Sequence, residues 1–292
     1  MFRLIGIFAN YNAFRKSNII SKSSWQIRKY TMGRLEGKNV LITGASAGIG
    51  EACAKEFAKA GSNLILTARR IERLEKIREE FSQTYPSIKI FTYQLDVREK
   101  AKVDQLVAAL PSDLKNVDVL VNNAGLVIGM EKVENVTNEA IETMIDTNVK
   151  GLLYVTQAIL PIMKERQKGH IINVGSVSGT QVYVNGGVYC ATKHAVDAIS
   201  RTLLLELADT PIKVTQINPG MVETEFSVVR FGGDKTRADK VYEGLQPLTG
   251  EDIADTIVFA ASRPDHVNIA DVLIYPVNQG AVTTIHRPLL NK

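Results

Sequence analysis

The sequence predicts an α/β fold, a single doubly wound domain whose seven-stranded parallel sheet is flanked by helices. Short β-branched apolar runs alternate with longer amphipathic segments from Lys38 onward. The 292 residues are 45% hydrophobic and include 21 Gly, 9 Pro and 2 Cys. This composition is typical of a globular protein and excludes collagen-like, disordered and disulfide-rich chains. No repeat or internal domain boundary interrupts the alternation, so one sheet is expected to contain every strand.

Seven segments have the length, the β-branched content and the flanking turn residues of buried strands. They are residues 39–43, 63–67, 88–95, 117–121, 170–174, 212–217 and 271–275. Helical patterns occupy residues 50–60, 71–84, 100–110, 137–168, 189–208 and 250–262. Strands that alternate with helices imply right-handed crossovers and a parallel sheet. Only residues 220–249 form a long irregular stretch, which is typical of a functional lid.

Residues 1–34 are predicted to be a presequence-like or disordered tail in front of the domain, which spans residues 35–292. The first 35 residues contain seven basic side chains and no acidic one, a composition typical of a mitochondrial transit peptide. Translation from Met32 would remove the segment and leave a cytoplasmic protein, so both compartments stay open. Because no uninterrupted run of 18 apolar residues occurs, no membrane-spanning helix and no membrane partner are expected.

The charge distribution argues against a nucleic-acid partner. The chain has 35 basic and 31 acidic residues, which leaves 28 basic and 31 acidic residues in 36–292, a net charge of −3. A binder of the phosphate backbone needs a basic face, and the body of this chain offers none in its sequence. No metal is expected, because the four histidines, His170, His194, His266 and His286, lack the spacing of metal ligands. The two cysteines fit a reducing environment without a disulfide.

The first predicted strand leads into a glycine-rich turn, Thr43-Gly44-Ala45-Ser46-Ala47-Gly48-Ile49-Gly50, which is followed by a helix. Glycines let the backbone turn sharply and approach a pyrophosphate, whose charge is stabilised by the free N–H groups at the helix N-terminus. A glycine-rich turn alone is weak evidence, since ordinary turns also use glycine. The strand before it and the helix after it favour a dinucleotide site.

The end of the second predicted strand selects the form of the cofactor. A NAD site has a carboxylate about 20 residues past the glycines, where it binds the ribose hydroxyls. Here the residues are Thr67-Ala68-Arg69-Arg70, without an acid. Two guanidinium groups suit a 2′-phosphate, so NADP(H) is favoured over NAD. The alternative is that Arg69 and Arg70 are only surface charges of a helix.

Tyr189 and Lys193 carry the signal for catalysis. Residues at i and i+4 share one helix face, so both side chains can point into one cleft. A phenol is a weak acid at neutral pH, and a neighbouring ammonium is expected to lower its pKa enough for proton exchange with an alcohol or carbonyl. Ser176, just past a strand, would hold the substrate oxygen, and Asn148 would anchor a water that relays the proton.

Together these motifs resemble the classical short-chain dehydrogenase/reductase family, which has a Rossmann fold. The resemblance covers residues 35–286 and adds Asn122-Asn123-Ala124-Gly125 and Pro219-Gly220. It implies a catalytic tetrad of Asn148, Ser176, Tyr189 and Lys193, with Lys193 also holding the nicotinamide ribose. It further implies cofactor contacts, with the adenine and adenosine side at Asp96, Val97 and Asn123 and the nicotinamide side at Pro219, Gly220, Val222 and Thr224.

A narrower resemblance concerns the substrate. Residues 219–227, 229–231, 269–271 and 276–279 resemble the NADP-dependent 3-hydroxy acid dehydrogenases, a branch similar to serine and allo-threonine dehydrogenases. It implies oxidation of the hydroxyl β to a carboxylate, as in L-serine or L-allo-threonine, and the reverse reduction. The expected substrate contacts are Ser176, Tyr189 and, for the carboxylate, Arg230, although a surface ion pair would explain Arg230 equally well.

Two other functions stay open at the level of sequence. One is an NADPH-dependent carbonyl reductase of neutral ketones or aldehydes, and the other is a non-catalytic nucleotide-binding protein. The apolar positions of helices 137–168 and 189–208 exceed what one sheet face needs. In the family such helices pair between subunits, which implies a homodimer or homotetramer.

Overall fold

The computed structural model describes residues 33–288 and forms the predicted seven-stranded parallel sheet. The strands lie in the order β3-β2-β1-β4-β5-β6-β7, and every pair is parallel. Their bounds are β1 Asn39–Thr43, β2 Asn63–Ala68, β3 Ile90–Gln94, β4 Val119–Asn122, β5 Gly169–Val174, β6 Ile212–Pro219 and β7 Asp271–Ile274. The predicted fold class is therefore confirmed.

Helices cover both faces of the sheet. Their bounds are α1 Gly48–Lys59, α2 Ile71–Thr84, α3 Lys100–Ala109, α4 Asn138–Ile145, α5 Leu152–Glu165, α6 Gly187–Glu206, α7 Glu225–Arg230, α8 Lys235–Lys240 and α9 Gly250–Ala261. Short 3₁₀ turns occur at Val133–Asn135 and Val177–Gly179.

The alternation of side chains along each strand separates the core into two layers. Val40 and Ile42 of β1 pack in one cluster with Phe57 of α1, while Leu41 between them packs on the other face with Ile159 of α5. Successive residues of a strand point to opposite faces, so strands buried on both sides need uninterrupted apolar runs. This explains the apolar run Val40-Leu41-Ile42 in β1.

The strand order reverses direction at β1, which pairs with β2 on one side and β4 on the other. In doubly wound sheets the connections leave such a point in opposite directions and open a crevice at the carboxyl ends of the strands. The fold thus places the turns after β1 and β4 beside each other, and the residues at issue for function follow these strands.

One helix of the sequence prediction differs from the structure. Residues 137–168 were expected to be a continuous helix, but a π-helical turn, Asp146–Gly151, separates α4 from α5. Thr137 caps α4 by accepting a hydrogen bond from the N–H of Ala140 at 3.2 Å. Gly151 packs so tightly on Val97 that a Cβ there would clash, and this close packing accompanies the extra residue in the turn.

The predicted irregular stretch 220–249 contains two short helices, α7 and α8. Thr224 and Asp234 cap them, since their side chains accept hydrogen bonds from the N–H groups of Phe226 and Arg237. We call residues 220–249 the lid.

The predicted presequence lies outside the described residues, and the domain boundary at 34/35 stays a prediction. Within residues 33–288, every helix is too short or too polar to span a bilayer. The same residues contain no cluster of three or more His, Cys, Asp or Glu side chains with the arrangement of a metal site.

Candidate active site

A cavity of about 580 Å³ opens at the carboxyl ends of the strands, beneath the lid. It contains nearly every site residue that the sequence predicts, from the glycine turn to the lid. The predicted residues that line it are Gly44, Ser46, Gly48, Ile49, Arg69, Arg70, Asp96, Val97, Asn123, Ser176, Tyr189, Lys193, Pro219, Gly220, Val222, Thr224 and Arg230. Gly50 and Asn148 lie behind this lining and support it.

Two positions of the glycine turn, Gly44 and Gly50, are packed so closely that neither has room for a side chain. Gly44 has a φ of +67°, and a Cβ there would lie 2.9 Å from Nδ2 of Asn123. A Cβ on Gly50 would clash with the carbonyl oxygen of Gly44. Asn123 stabilises the turn, because its Nδ2 donates to the carbonyl of Thr43 at 2.8 Å. The side chain of Asn123 therefore connects the end of β4 to the end of β1, and it also lines the cavity.

The N-terminus of α1 faces the cavity and has no side-chain cap. Its N-cap residue is Ala47, which cannot accept a hydrogen bond through its side chain. The first N–H groups of a helix have no intrahelical partners, and they carry the positive end of the helix dipole. This helix end therefore has the properties of an anion site, such as one for a pyrophosphate.

The two arginines after β2 lie at one end of the cavity. Arg70 donates from Nε and Nη2 to the hydroxyl of Ser46 at 3.3 and 3.2 Å, and from Nη1 to Glu225 at 2.9 Å. The side chain of Arg69 is exposed beside it. The ion pair of Arg70 with Glu225 is what the surface-charge alternative predicts. Arg70 also lines the cavity, as the cofactor interpretation predicts. Both guanidinium groups lie where a 2′-phosphate site is predicted.

Asp96 and Val97 follow β3 at the same end. Asp96 forms a forked ion pair with Arg98, with Nε 3.0 Å from both carboxylate oxygens and Nη2 2.6 Å from Oδ2. Partial burial raises the pKa of Asp96, but the hydrogen bonds from Arg98 outweigh it and hold the pKa below its usual value. Asp96 is therefore an ionised hydrogen-bond acceptor at neutral pH.

Ser176, Tyr189 and Lys193 meet below the lid. Tyr189 and Lys193 lie one helical turn apart in α6, with only 9% and 7% of their surface exposed. Lys193 Nζ donates to the carbonyl of Val174 at 2.9 Å and lies 6.0 Å from the centre of the Tyr189 ring. Ser176 also lines the cavity and lies close enough to the Tyr189 hydroxyl to influence its pKa. The expected shared cleft is present, while the assigned roles stay predictions.

The acidity of Tyr189 differs from the expectation. Burial raises the pKa of its phenol, and the neighbouring side chain of Ser176 only partly opposes this shift. Burial also lowers the pKa of Lys193 to about 8. The predicted net lowering of the Tyr189 pKa is therefore wrong, because burial of the phenol outweighs the attraction of neighbouring positive charges. In the surroundings formed by residues 33–288, Tyr189 is therefore a protonated phenol at neutral pH.

Asn148 holds the floor of the site from the π-helical turn. Its Oδ1 accepts from the N–H of Leu126 at 2.8 Å, and its Nδ2 donates to the carbonyl of Leu126 at 2.8 Å and to the hydroxyl of Thr192 at 3.0 Å. Thr192 in turn donates to the carbonyl of Tyr189. Asn148 thereby connects the loop after β4 to α6. Its role in anchoring a water stays a prediction.

Arg230 lies at the substrate end of the cavity and makes no ion pair among residues 33–288. Its Nη2 donates to the hydroxyl of Tyr183 at 2.8 Å, and its Nε donates to the carbonyl of Gly129 at 3.2 Å. Since the structure shows no carboxylate on Arg230, the surface-pair alternative finds no support. The guanidinium is held in place by neutral acceptors and faces the cavity.

Sequence reasoning assigned no individual role to several cavity residues, and three of them make defined contacts. Tyr183 orients Arg230, and Phe226 of α7 packs edge-on against the Tyr189 ring at a centroid distance of 5.8 Å. Gln279 accepts a hydrogen bond from the N–H of Met221 at 2.8 Å and so fixes the turn at Pro219-Gly220. Tyr183 precedes Tyr189 by only six residues, and this proximity was the available signal. Nothing local in the sequence points to the contact of Gln279, which is 58 residues from Met221.

Comparisons with known proteins agree with this geometry. A family model described as short chain dehydrogenase matches residues 38–231. A protein of Schizosaccharomyces pombe named NADP-dependent 3-hydroxy acid dehydrogenase is 46% identical, over 88% of this chain and 99% of its own length. Serine 3-dehydrogenase of Agrobacterium fabrum is 42% identical, over 82% and 94%. A solved closed form of serine dehydrogenase complexed with NADP⁺ has a TM-score of 0.80 at 44% identity, covering 85% of this chain and 99% of that one.

Proposed function

Because the chain belongs to the short-chain dehydrogenase family, we propose that it is an NADP-dependent oxidoreductase of small 3-hydroxy acids. It oxidises the 3-hydroxyl group of substrates such as L-serine or L-allo-threonine and catalyses the reverse reduction. The names of relatives that cover nearly their whole length support this proposal. The residues of the cavity support it independently.

The cavity fits NADP(H) at each part where the cofactor is charged. The uncapped N-terminus of α1 suits the pyrophosphate, and Arg69 and Arg70 suit the 2′-phosphate. No carboxylate stands at the end of β2, where a NAD site would have one. Bound NADP⁺ supplies the hydride acceptor for oxidation, and NADPH supplies the hydride for reduction.

The protein groups handle the proton. Ser176 and Tyr189 both line the cavity, and Ser176 lies close enough to Tyr189 to influence its pKa, so both hydroxyls can contact one substrate oxygen. In reduction the phenol of Tyr189 donates its proton to the carbonyl oxygen, and in oxidation Tyr189 first loses its proton and then accepts the alcohol proton as the phenolate. The buried ammonium of Lys193 places a positive charge near the ring and favours the phenolate when it forms.

The observation that carries the choice of substrate is the cation of Arg230. It lines the cavity, is oriented by Tyr183 and Gly129, and has no carboxylate partner in the described part of the chain. A partly desolvated guanidinium of this kind stabilises an anion through charge-assisted hydrogen bonds. A substrate whose carboxylate is separated from the reacting carbinol by one carbon places its negative charge on Arg230 while its hydroxyl reaches Tyr189.

A substrate panel tests the proposal. The purified protein is assayed with NADP⁺ and with NAD⁺ against L-serine, 3-hydroxypropionate and a neutral alcohol of the same length. We expect turnover of the two acids, a higher kcat/KM with NADP⁺, and little turnover of the neutral alcohol. Equal rates on acid and alcohol would instead indicate a carbonyl reductase. No turnover with any member or with the matching carbonyls would indicate a non-catalytic nucleotide-binding protein.

We further propose that the protein forms a homodimer or homotetramer. Apolar side chains are exposed on the edge strand β7 and just after it, where Leu273 and Val277 are 48% and 100% exposed, and on α9, where Phe259 is 47% exposed. Exposed apolar groups of this kind mark surfaces that associate. Light scattering after gel filtration tests this, and Leu273→Asp is expected to shift the mass towards a smaller oligomer.

For the compartment we propose mitochondria, on the composition of residues 1–34 alone. A fluorescent fusion of the full chain is compared with one that begins at Met32. The full chain is expected to enter mitochondria, and the shorter one is expected to stay in the cytoplasm.

A further inference from the structure

Helix α7 of the lid connects the two ends of the cavity. It begins at Glu225, beside the arginines that follow β2, and ends at Arg230, beside Tyr183. Six helical residues span about 9 Å. Between these ends Phe226 packs on the ring of Tyr189. A displacement of α7 therefore moves three side chains together. They are Glu225, which pairs with the arginines, Phe226, which packs on Tyr189, and Arg230.

Glu225 attaches the first residue of α7 to two arginines. Its Oε1 lies 2.7 Å from Nη1 of Arg73, and its Oε2 lies 2.9 Å from Nη1 of Arg70. The hydrogen bond from Arg73 and then that from Arg70 hold the pKa of Glu225 below its usual value. The carboxylate is therefore ionised at neutral pH. Glu223, two residues earlier, is exposed and forms no ion pair in the described residues, so pairing is not general to this turn.

The local charge leaves room for a phosphate as well as for Glu225. Arg69, Arg70 and Arg73 carry three positive charges, and Glu225 neutralises one of them. The remaining two match the charge of about −1.5 to −2 that a phosphate monoester has at neutral pH. Glu225 can thus keep its ion pairs with Arg70 and Arg73 while a 2′-phosphate binds to Arg69 and Arg70, which line the cavity.

Arg70 is the residue that these contacts share. It donates to Ser46 in the glycine turn, to Glu225 at the start of α7, and it lines the cavity where the 2′-phosphate is proposed to bind. A phosphate on Arg70 restricts the motion of this long side chain, and Glu225 extends the restriction to α7. Arg73 pairs with Glu225 but does not line the cavity, so it affects this connection without touching the cofactor.

We infer that Glu225 is a positioning residue that couples the 2′-phosphate site to the placement of Arg230 and Phe226 over the substrate. The inference rests on the proposed function for the identity of the cofactor and the substrate. It predicts that NADP fixes the position of Arg230 and Phe226 more firmly than NAD does, although the 2′-phosphate does not reach them.

The first experiment measures the lid without turnover. Trypsin has exposed cleavage sites in the lid at Lys235, Arg237 and Lys240. The full chain is digested in the presence of saturating adenosine 2′,5′-bisphosphate or saturating 5′-AMP, which lacks only the 2′-phosphate, with saturation established by calorimetry. In the wild type the 2′-phosphate is expected to slow cleavage in the lid by about three- to tenfold relative to 5′-AMP, within the range that two exposed ion pairs can supply. Glu225→Gln is expected to lose this difference, and Glu223→Gln, the matched control, to keep it.

The second experiment measures kinetics with saturating NADP⁺. Glu225→Gln and Arg73→Gln are each expected to raise KM for L-serine by about three- to tenfold with little change in kcat. The double variant is expected to resemble Glu225→Gln, because that change alone removes the ion pairs with both Arg70 and Arg73, and Arg73→Gln is expected to have the smaller effect. With NAD⁺, which lacks the 2′-phosphate, the variants and the wild type are expected to have similar KM values.

The inference is wrong if Glu225→Gln behaves as Glu223→Gln in the digestion, or if the wild type shows no effect of the 2′-phosphate on the lid. Because digestion needs no substrate, these results are independent of catalysis. A wild type that shows the protection but oxidises no hydroxy acid would contradict the proposed function and leave the coupling by Glu225 supported.

Discussion

Replacing Arg230 by methionine provides the sharpest test of substrate recognition. The change removes the positive charge and keeps a long side chain that can still pack against the ring of Tyr183, over which the guanidinium lies at 5.4 Å. The two hydrogen-bond acceptors that it leaves, the hydroxyl of Tyr183 and the carbonyl of Gly129, lie beside the cavity, where water can replace the lost donors. We therefore expect a folded protein with a near-normal Tm.

The expected magnitude follows from the contact that is lost. A hydrogen bond to a charged group contributes about 1.5–3 kcal/mol, and Arg230 is already oriented by two neutral partners, so little further ordering is needed. This corresponds to a fall in kcat/KM for L-serine of about ten- to a hundredfold. For a neutral alcohol, which places no charge on Arg230, kcat/KM should change by less than about twofold.

The assay follows NADPH formation at several concentrations of L-serine and of the neutral alcohol, for wild type and variant. Arg237→Met is the matched control, since Arg237 is an exposed arginine of the same lid and does not line the cavity. The reasoning is refuted if Arg230→Met lowers kcat/KM equally for both substrates, or if the control has the same selective effect.

Three further outcomes are expected. Tyr189→Phe should abolish turnover and leave NADPH binding, measured by fluorescence titration, within about twofold of wild type, because the ring and its packing on Phe226 remain. Arg70→Gln should weaken NADPH binding by about tenfold and leave NADH binding nearly unchanged, since it removes one charged partner of the 2′-phosphate; equal weakening of both would contradict this site. Burial lowers the pKa of Lys193 from 10.5 to about 8, so between these values the unfolded chain binds more protons. The unfolding free energy of the wild type should therefore rise with pH over this interval, by up to about 3 kcal/mol relative to Lys193→Met in urea titrations; parallel curves for the two proteins would refute the shift.

The sheet was predictable because its signals are local. Strands that are buried on both faces need continuous apolar runs, and β1 occupies the predicted residues 39–43. The proximity of Tyr189 and Lys193 was predictable for the same reason, because they are four residues apart in one helix. Their shared cavity follows from helix geometry together with the position of α6 after β5.

The remaining features depend on contacts between distant residues. The pKa of Tyr189 is set by the burial that the lid and the loop after β5 impose, and its immediate neighbour in the helix face does not override this burial. The break between α4 and α5 depends on Leu126 and on Val97, neither of which lies near residues 146–151 in sequence. The partners of Glu225 are more than 150 residues away from it. No local pattern encodes contacts of this kind.

The π-helical turn at Asp146–Gly151 has a consequence for tolerance to insertions and deletions. Such a turn contains one residue more than a regular helix would use, so deleting one residue there would restore a regular helix. The wider turn already takes up the extra residue, so α4 and α5 would keep their relative orientation on the sheet. Only the residues inside the turn would change place, and Asn148 would lose its register with Leu126 and Thr192. A deletion here should therefore damage the site even though the flanking helices survive it.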